Sequence, residues 1–166
     1  MTAPNLRPMR TDDAERVIAL NAEVVELTSE MDEARFDALF EASSMKVVAE
    51  HDGELLGFVF AMGDFCRYEN ANFDWFHARI RSYLYVDRIV VSERSRGLGV
   101  GQLLYRHTFE IAEETGALSV CAEINVEPPN PGSLRFHERS GFVEIGRRRV
   151  DGGKVLSMQM RPLPVS

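Results

Sequence analysis

The sequence predicts a mixed α/β (α+β) fold in which a central sheet of about six to seven strands carries helices on both faces. Three observations lead to this fold class. A hairpin pattern spans residues 45–62, an apolar run at residues 82–91 enters a glycine-rich turn and a helix, and a strand, a short helix and a second hairpin close the chain. Because 45% of the 166 residues are hydrophobic, we expect one domain over residues 1–166.

The chain before the hairpin predicts one strand and two helices. Residues 5–10 can form the first strand, and the Thr11 hydroxyl can cap a helix over about residues 12–27. A second helix is expected over about residues 31–41. The hairpin itself should consist of strands 45–50 and 54–62, which flank an Asp-Gly turn.

An aromatic-rich segment over residues 63–80 shows no clear period and is predicted as a long connection. Its aromatic side chains either pack on the edge of the core or line a binding cleft, and long connections are uncommon unless functional. The second alternative makes Phe73 and Trp75 candidate walls of a pocket for a small organic ligand. Asn21 is a third candidate, because it interrupts the apolar face of the first helix.

The predicted central strand at residues 82–91 leads into a turn with three glycines between residues 97 and 101. Glycines let a ligand approach the backbone, and the helix predicted over about residues 100–115 begins with unpaired N–H groups at its positive dipole end. The turn can therefore bind a phosphate. It lacks the Lys-Ser or Lys-Thr pair of a P-loop, and Gln102 stands where a dinucleotide fingerprint needs its third glycine.

The last part of the chain predicts a strand, a short helix and a hairpin. Residues 117–126 alternate between apolar and polar side chains, as in a strand with one buried face. Asn130 can cap a helix over about residues 131–140, whose first residue is a proline. Strands over residues 142–150 and 154–160 should form the final hairpin.

Two motifs together resemble the GNAT superfamily of acetyl-CoA-dependent N-acetyltransferases. Arg96-x-x-Gly99-x-Gly101 is similar to the pyrophosphate-binding signature R/Q-x-x-G-x-G/A of that superfamily. Residues 130–142 resemble its pattern N-x-x-A/S-x-x-x-Y-x-x-x-G-F, with His137 in place of the tyrosine, as in a similar run of the phosphinothricin-type branch. The resemblance covers about residues 82–145. It implies a GNAT-like sheet and transfer of the acetyl group of acetyl-CoA to a primary amine.

The resemblance also implies where acetyl-CoA would bind. The end of the central strand would bind the pantetheine arm, the glycine turn would hold the pyrophosphate, and three residues of the second motif would flank the distal end of the cofactor. The expected cofactor-binding residues are Ile89, Val90, Val91, Arg96, Gly97, Leu98, Gly99, Val100, Gly101, Gln102, Asn130, Ser133 and Phe136.

Three residues are candidates for the chemistry. A primary amine with a pKa of about 10 must lose a proton before it attacks, so a base is required. Asp87 is the first candidate because the resembled family often places a carboxylate there, and Glu123, on the polar face of the following strand, is the second. His137 stands where the family's tyrosine is thought to protonate the leaving thiolate. A backbone N–H near Ile89 would meet the oxyanion, since the sequence shows no metal-binding motif.

Composition narrows the range of partners. Nineteen basic and 26 acidic residues give a net charge of −7, which disfavours nucleic acid and anionic lipid and mildly favours a cationic ligand such as an amine. Cys66 and Cys121 form neither a zinc nor a disulfide motif. No apolar run approaches the roughly 18 residues of a membrane span, so we expect a cytoplasmic protein without a membrane partner. The resemblance also allows a homodimer.

Other functions fit parts of the sequence. A non-catalytic acyl-CoA-binding regulatory module would keep the glycine turn and lack the chemistry, and a nucleotide-binding protein would use the turn for a different phosphate. For an enzyme, acetylation of Cys66 or Cys121 is a rival to direct attack in a ternary complex, although neither cysteine has a basic neighbour in sequence. Small amines, amino acids, antibiotics and peptide N-termini all stay open as acceptors.

Overall fold

The computed structural model describes residues 3–25 and 28–165. Within them it has seven strands and five α-helices. The strands are β1 Asn5–Pro8, β2 Met45–His51, β3 Glu54–Gly63, β4 Tyr83–Val91, β5 Ser119–Glu127, β6 Val143–Arg149 and β7 Val155–Pro162. The helices are α1 Ala14–Glu23, α2 Glu33–Ala42, α3 Ala71–His77, α4 Val100–Glu114 and α5 Pro131–Arg139.

The strands form one mixed sheet in the order β1-β2-β3-β4-β5-β7-β6. Every neighbouring pair is antiparallel except β4 and β5, which run parallel. Two hydrophobic cores lie against the sheet: one contains buried residues of α1, α2 and α3, and the other contains those of α4. The predicted fold class, a mixed sheet of six to seven strands with helices on both faces, is therefore confirmed.

The two parallel strands separate before they end. β4 and β5 are paired only from Tyr83 opposite Ser119 to Tyr85 opposite Cys121, although both continue for several residues. Just beyond the last pair, β4 contains a bulge at Asp87, because Val86 and Arg88 pair with successive residues of β3. A bulge bends its strand and increases the local twist, so β4 turns away from β5 and a cleft opens between their carboxyl ends.

Two sequence expectations need correction. Thr11 does not cap the first helix but begins a single 3-10 turn; Asp13 stands at the N-cap position of α1, and its carboxylate accepts from the Arg10 N–H at 2.7 Å. The segment over residues 63–80 is not an irregular connection, since it contains α3. Asn70 caps this helix, because its side-chain oxygen accepts from the backbone N–H groups of Asn72 and Phe73 at 2.9 and 3.1 Å.

The first helix, α1, ends at Glu23, before the predicted limit at residue 27, and residues 26 and 27 lie outside the described part of the chain. The hairpins, the helix after the glycine turn and the proline-initiated helix α5 all lie within a few residues of their predicted bounds. Among the described residues, none of the helices is long and apolar enough to cross a membrane.

Candidate active site

The separated strands open into a cleft of about 1260 Å³. Its floor is formed by the second half of β4 and of β5, between which no strand of the described residues lies. The start of α4 and the start of α5 form one wall, and the start of α3 with the β6–β7 hairpin forms another. The cleft therefore brings the glycine turn, the second motif and the two candidate carboxylates of the sequence into one space.

The glycine turn has the backbone that a phosphate cradle requires. Gly99 adopts a left-handed conformation with φ 69° directly before α4, and Gly97 has φ 85°. Gly101 is favoured for a different reason: a Cβ there would lie 3.0 Å from the Phe136 ring, so a side chain would force that ring to shift. Arg96 stands at the rim, where 83% of its side chain is exposed. The first N–H groups of α4 thus face the cleft beside the exposed Arg96 guanidinium, which forms a long ion pair with Glu93 at 3.9 Å.

The ladder between β3 and β4 shows which backbone groups are free for a ligand. The Ser92 N–H donates to the Leu56 carbonyl at 2.8 Å, which fixes the phase of the alternating hydrogen bonds along β4. Ile89 and Val91 consequently direct their backbone groups toward the gap left by β5. Val90 also lines the cleft but directs its own backbone groups toward β3, unlike the backbone ligand that the sequence suggested.

The second motif forms the facing wall. The Asn130 side chain caps α5, since its oxygen accepts from the Ser133 N–H at 3.3 Å, as predicted. Asn130, Ser133 and Phe136 all line the cleft. The cofactor-binding residues predicted on β4, on the glycine turn and on α5 therefore lie around the same space, apart from the orientation of Val90 and from Leu98, which is not among the residues lining the cleft.

Glu123 lies on the floor of the cleft and is held by neutral donors. The Tyr85 hydroxyl is 2.9 and 2.8 Å from its two carboxylate oxygens, and the Asn72 side-chain amide donates to it at 3.1 Å. Burial, followed by the negative charge of Asp87, raises the pKa of Glu123 to about 8, while the hydrogen bonds from Tyr85 and Asn72 oppose that rise. Glu123 can therefore take up or release a proton close to neutral pH.

Asp87, the other candidate base, is fully engaged. Its side chain is 4% exposed, forms an ion pair with Arg88 at 2.8 Å and accepts a short hydrogen bond from the Tyr68 hydroxyl. Arg88 in turn donates to Asn21 and to the carbonyl of Ser29. Arg88 thus connects the α1–α2 region to the sheet, Asp87 supplies its counter-charge, and the negative charge of Asp87 acts on Glu123 from nearby.

His137 is buried at 4% exposure and both of its ring nitrogens are occupied. Nδ1 lies 2.8 Å from the Ser133 carbonyl, which can only accept, so the ring proton belongs on Nδ1. Nε2 then accepts from the Tyr105 hydroxyl at 2.6 Å. Burial lowers the pKa of His137, which keeps the imidazole neutral. In this arrangement His137 presents no unpaired N–H to the cleft.

The three residues proposed as acceptor walls lie elsewhere. Phe73 is buried and packs its ring 5.7 Å from that of Tyr85, and the Trp75 ring covers Gly146, where a Cβ would come within 2.6 Å. Asn21 is completely buried and donates to the Ser29 carbonyl at 2.9 Å. None of the three is among the described residues that line the cleft; Phe73 lies in the core, Trp75 packs against it, and Asn21 bonds to Ser29 and Arg88, so the structure gives no support to their expected role as acceptor walls.

Sequence reasoning missed the residues that hold Glu123 and His137. Tyr85 lies two positions before Asp87 and therefore could have been placed on the same strand face by alternation alone. Asn72 could have been found through Asn70, whose capping role starts α3 and places Asn72 in its first turn. The sequence gave little indication that Tyr105 bonds to His137, because a tyrosine on the apolar stripe of a helix is usually a core residue.

The chain matches known proteins in sequence and in fold. Residues 11–142 match the model of the Acetyltransferase (GNAT) family. Phosphinothricin N-acetyltransferase of Streptomyces viridochromogenes is 36% identical over 108 residues, which are 65% of this chain and 52% of that protein. Acetyltransferase Atu2258 of Agrobacterium fabrum is 36% identical over 66 residues, which are 40% of this chain and 45% of that protein. The chain thus spans about half the length of these curated relatives.

Solved structures agree with the fold. Ard1 from Thermoplasma volcanium superposes with a TM-score of 0.80 at 20% identity, covering 99% of this chain and 100% of that one. The yncA protein of Salmonella typhimurium, whose structure contains its cofactor acetyl-CoA, superposes with a TM-score of 0.75 at 19% identity and covers 99% of this chain and 96% of that one. Because the family model matches most of the sequence, the chain belongs to the Acetyltransferase (GNAT) family.

Proposed function

We propose that this protein is an N-acetyltransferase that transfers the acetyl group of acetyl-CoA to the amine of a small molecule or peptide, with Glu123 as the general base. The observation that carries this proposal is the position of Glu123. Its carboxyl group, with a pKa raised to about 8, lies on the floor of the cleft whose wall begins with the glycine turn. A carboxylate whose pKa lies near neutral pH can accept a proton from an amine, and the adjacent phosphate cradle can bind an acyl donor that carries a phosphate.

The residues of the cleft fit acetyl-CoA. The open left-handed glycine turn and Arg96 would hold its pyrophosphate, and the free backbone groups of Ile89 and Val91 would bind the pantetheine arm. Asn130, Ser133 and Phe136 would flank its distal end. When bound, acetyl-CoA supplies an acyl group activated as a thioester.

The chain's own residues supply the rest of the chemistry. Glu123 removes the proton that the acceptor amine must lose, and Tyr85 and Asn72 keep the carboxylate oriented toward the cleft. The Ile89 N–H, free on the cleft side of β4, can donate to the carbonyl oxygen as it gains negative charge. Glu123 is preferred to Asp87 because the ion pair with Arg88 and the bond from Tyr68 occupy Asp87.

The thiolate can leave without a strong acid supplied by the protein. A thiol with a pKa of about 8.5 is an acceptable leaving group without a strong acid. His137 bonds to Tyr105 on α4 and to Ser133 on α5. We therefore assign it a role in positioning the wall of the cleft and not the role of proton donor. Direct attack by the amine is preferred to an acetylated Cys121, because burial raises the pKa of that thiol and keeps it protonated.

An acceptor panel tests the proposal. The protein is mixed with acetyl-CoA and small amines, amino acids or peptides, and free thiol release is measured. We expect release that requires an acceptor. Binding of acetyl-CoA without thiol release to any acceptor would instead indicate a non-catalytic acyl-CoA-binding module, and competition by ATP or NAD for the turn would indicate a nucleotide-binding protein. Sedimentation of the same sample tests the expected homodimer.

A matched pair of glycine variants tests the cradle. Gly99 and Gly116 both have positive φ and open space where a Cβ would stand, but Gly116 follows the end of α4, at the far side from the cleft. Gly99→Ala and Gly116→Ala should therefore lose similar stability, about 1 kcal/mol. Only Gly99→Ala should weaken acetyl-CoA binding in calorimetry, by about tenfold or more. Equal affinities in the two variants would remove the turn from the binding site.

A further inference from the structure

Arg148 lines the cleft but has no part in the chemistry described so far. It lies on β6 and is half-buried. Its guanidinium donates a hydrogen bond to the side-chain oxygen of Asn72, and the nitrogen of the same amide donates to Glu123 at 3.1 Å. Arg148 is therefore connected to the proposed base through one neutral side chain.

These two hydrogen bonds determine which way the Asn72 amide faces. A guanidinium group has only donors, so the atom of Asn72 that meets Arg148 must be the oxygen. An ionised carboxylate has only acceptors, so the atom that meets Glu123 must be the nitrogen. A single orientation of the amide satisfies both neighbours.

The opposite orientation of the amide would suit a different charge state of Glu123. With its oxygen toward the base, Asn72 could accept a hydrogen bond from a protonated carboxyl group and would repel an ionised one. That orientation would also turn the amide nitrogen toward Arg148, so that donor would face donor. Arg148 therefore disfavours the orientation of Asn72 that stabilises a protonated Glu123.

The packing of α3 on β6 brings Asn72 and Arg148 together. The Trp75 ring covers Gly146, where a Cβ would come within 2.6 Å of the ring. Asn72 lies three residues before Trp75 on the same face of α3, and Arg148 lies two residues after Gly146 on the same face of β6. The contact that docks the helix on the strand thus also aligns the two polar side chains.

Titratable groups on β4, α4 and β5 also act on Glu123. The Tyr85 hydroxyl can donate to an ionised carboxylate or accept from a protonated one, so it serves both charge states. The charge of Asp87 disfavours ionisation, and burial raises the pKa values of Tyr105 and Cys121, which keeps both neutral. An amide held by Arg148 provides a preference for the ionised form that these four groups do not.

We propose that Arg148 is a positioning residue for the proposed base: it holds the Asn72 amide with its nitrogen toward Glu123 and so keeps Glu123 ready to take the proton of the acceptor amine near neutral pH. This inference rests on the proposed function and adds a residue to it. Arg148 touches no reacting atom and acts through Asn72.

The pH dependence of a matched pair of variants tests this role. Arg148→Met keeps an unbranched side chain and removes the charge and the donors. The bend in its kcat/KM profile should move upward by about one pH unit, so that kcat/KM for the acceptor falls about tenfold at about pH 7 and lies within about twofold of wild type at about pH 10. Arg148→Lys, which can donate to the same oxygen, should recover most of the loss.

Arg147→Met is the control for this pair. Arg147 is the neighbouring residue on β6, is exposed, pairs with Glu144 at 2.8 Å and does not line the cleft. Its substitution should leave the pH profile unchanged. KM for acetyl-CoA should change by less than about twofold in all of these variants, because none of them alters the glycine turn.

A double-mutant cycle tests whether Arg148 acts through Asn72. Asn72→Leu keeps the branched shape of the side chain and removes its polar atoms, so the bend in the kcat/KM profile should again move upward. When Arg148→Met is added to Asn72→Leu, kcat/KM should fall by less than about twofold further, because the connection between Arg148 and Glu123 is already lost. Full additivity of the two losses would contradict the inference.

The failures of the inference and of the proposed function are distinguishable. If Arg148→Met lowers kcat/KM by the same factor at every pH, Arg148 does not govern the charge of Glu123, although acetyl transfer still stands. A stability measurement without substrate checks the same point: the pH at which each protein begins to differ from its Glu123→Gln counterpart should be higher with Arg148→Met, and an unchanged pH would overturn the inference. If no amine releases thiol from acetyl-CoA, the proposed function fails and this inference fails with it.

Discussion

Two carboxylates in this protein have opposite environments. Asp13 is completely buried and accepts from Arg7 at 2.8 and 2.9 Å and from Arg16 at 2.9 Å. The hydrogen bond from Arg7 is the main reason that the pKa of Asp13 falls to about 2. Glu123 has no cationic partner among the described residues; a tyrosine and an asparagine hold it, and burial raises its pKa to about 8.

The two environments distinguish a carboxylate whose charge is fixed by ion pairs from one that can exchange a proton near neutral pH. With its pKa near 2, Asp13 is ionised at neutral pH, where its ion pairs with Arg7 and Arg16 persist. Glu123 changes protonation close to neutral pH, because neutral donors orient it without fixing its charge and the nearby Asp87 disfavours ionisation. The ion pairs of Asp13 near β1 therefore stabilise the fold, whereas Glu123, in the gap between β4 and β5, destabilises it once ionised and is the group to which we assign the proposed chemistry.

The largest expected effect is on catalysis. Glu123→Gln keeps the shape of the side chain and removes the base, so kcat should fall by about 10²-fold to 10³-fold with little change in the KM for acetyl-CoA. Glu127→Gln is the control, since Glu127 is exposed on the same strand. A wild-type kcat in the Glu123 variant would assign the base elsewhere, with Asp87→Asn as the next variant to measure.

The second prediction concerns the removal of the charge of Asp13. Asp13→Asn leaves Arg16 without its counter-ion and the largely buried Arg7 with Glu50 alone, so the free energy of unfolding should fall by about 3 kcal/mol in urea titration while kcat is unchanged. Asp12→Asn, at the exposed neighbouring position, should change stability by less than about 0.5 kcal/mol. A large loss of kcat in folded Asp13→Asn would mean that the region around Asp13 also shapes the cleft.

The third prediction is that Glu123 and Asp13 affect stability in two different pH ranges. The folded pKa of Glu123 lies above its ordinary value of 4.5, so the native state binds the extra proton and stability declines as the pH rises from about 4.5 to about 8. The folded pKa of Asp13 lies below 3.8, so its contribution is present above that pH and is lost as the pH falls toward 2.

Melting curves of three proteins test this third prediction. After allowance for its partial exposure, Glu123→Gln should be more stable than wild type by about 2 kcal/mol at pH 9 and equal to it near pH 5. Asp13→Asn should differ most from wild type above pH 4 and should converge with it at acid pH. Parallel curves for all three proteins would show that neither carboxyl has a shifted pKa in the folded state.

The backbone of this site was more predictable than its side-chain chemistry. Local sequence predicts the turn at Gly97–Gly101, the cap at Asn130 and the succession of strands along the chain. Glycine spacing, capping and alternation all act within a few residues. The separation of β4 from β5 depends on a bulge at Asp87, which has no local sequence signal and is set by pairing with β3.

The sequence offered two candidate bases, and it could not rank them by their environments. Asp87 and Glu123 are both carboxylates on strands that enter the cleft, and only tertiary contacts show that Arg88 occupies one and that Tyr85 and Asn72 hold the other. The aromatic residues Phe73 and Trp75 misled for a related reason. An apolar side chain suits a pocket wall and a core equally well, and α3 turns these two toward the core.

The smallest expected effect concerns His137. Because its two nitrogens are bonded to Tyr105 and Ser133, His137→Phe should lower kcat by less than about tenfold in presteady-state measurements of the acyl-transfer step. His107→Phe, on α4 and outside the cleft, controls for loss of an imidazole. A loss of about 10²-fold or more with normal acetyl-CoA binding would identify His137 as the proton donor for the thiolate.

The central claim is that Glu123 is a base whose pKa near 8 governs acetyl transfer, and the pH dependence of kcat/KM for the acceptor tests it most directly. In wild type, log kcat/KM should rise with pH and bend near pH 8 as Glu123 loses its proton, in addition to the acceptor's own titration at about pH 10. The Glu123→Gln profile should lack the bend near pH 8 and keep the one set by the acceptor. A bend near pH 8 that persists in the variant, or profiles of the same shape in both proteins, would contradict the assignment.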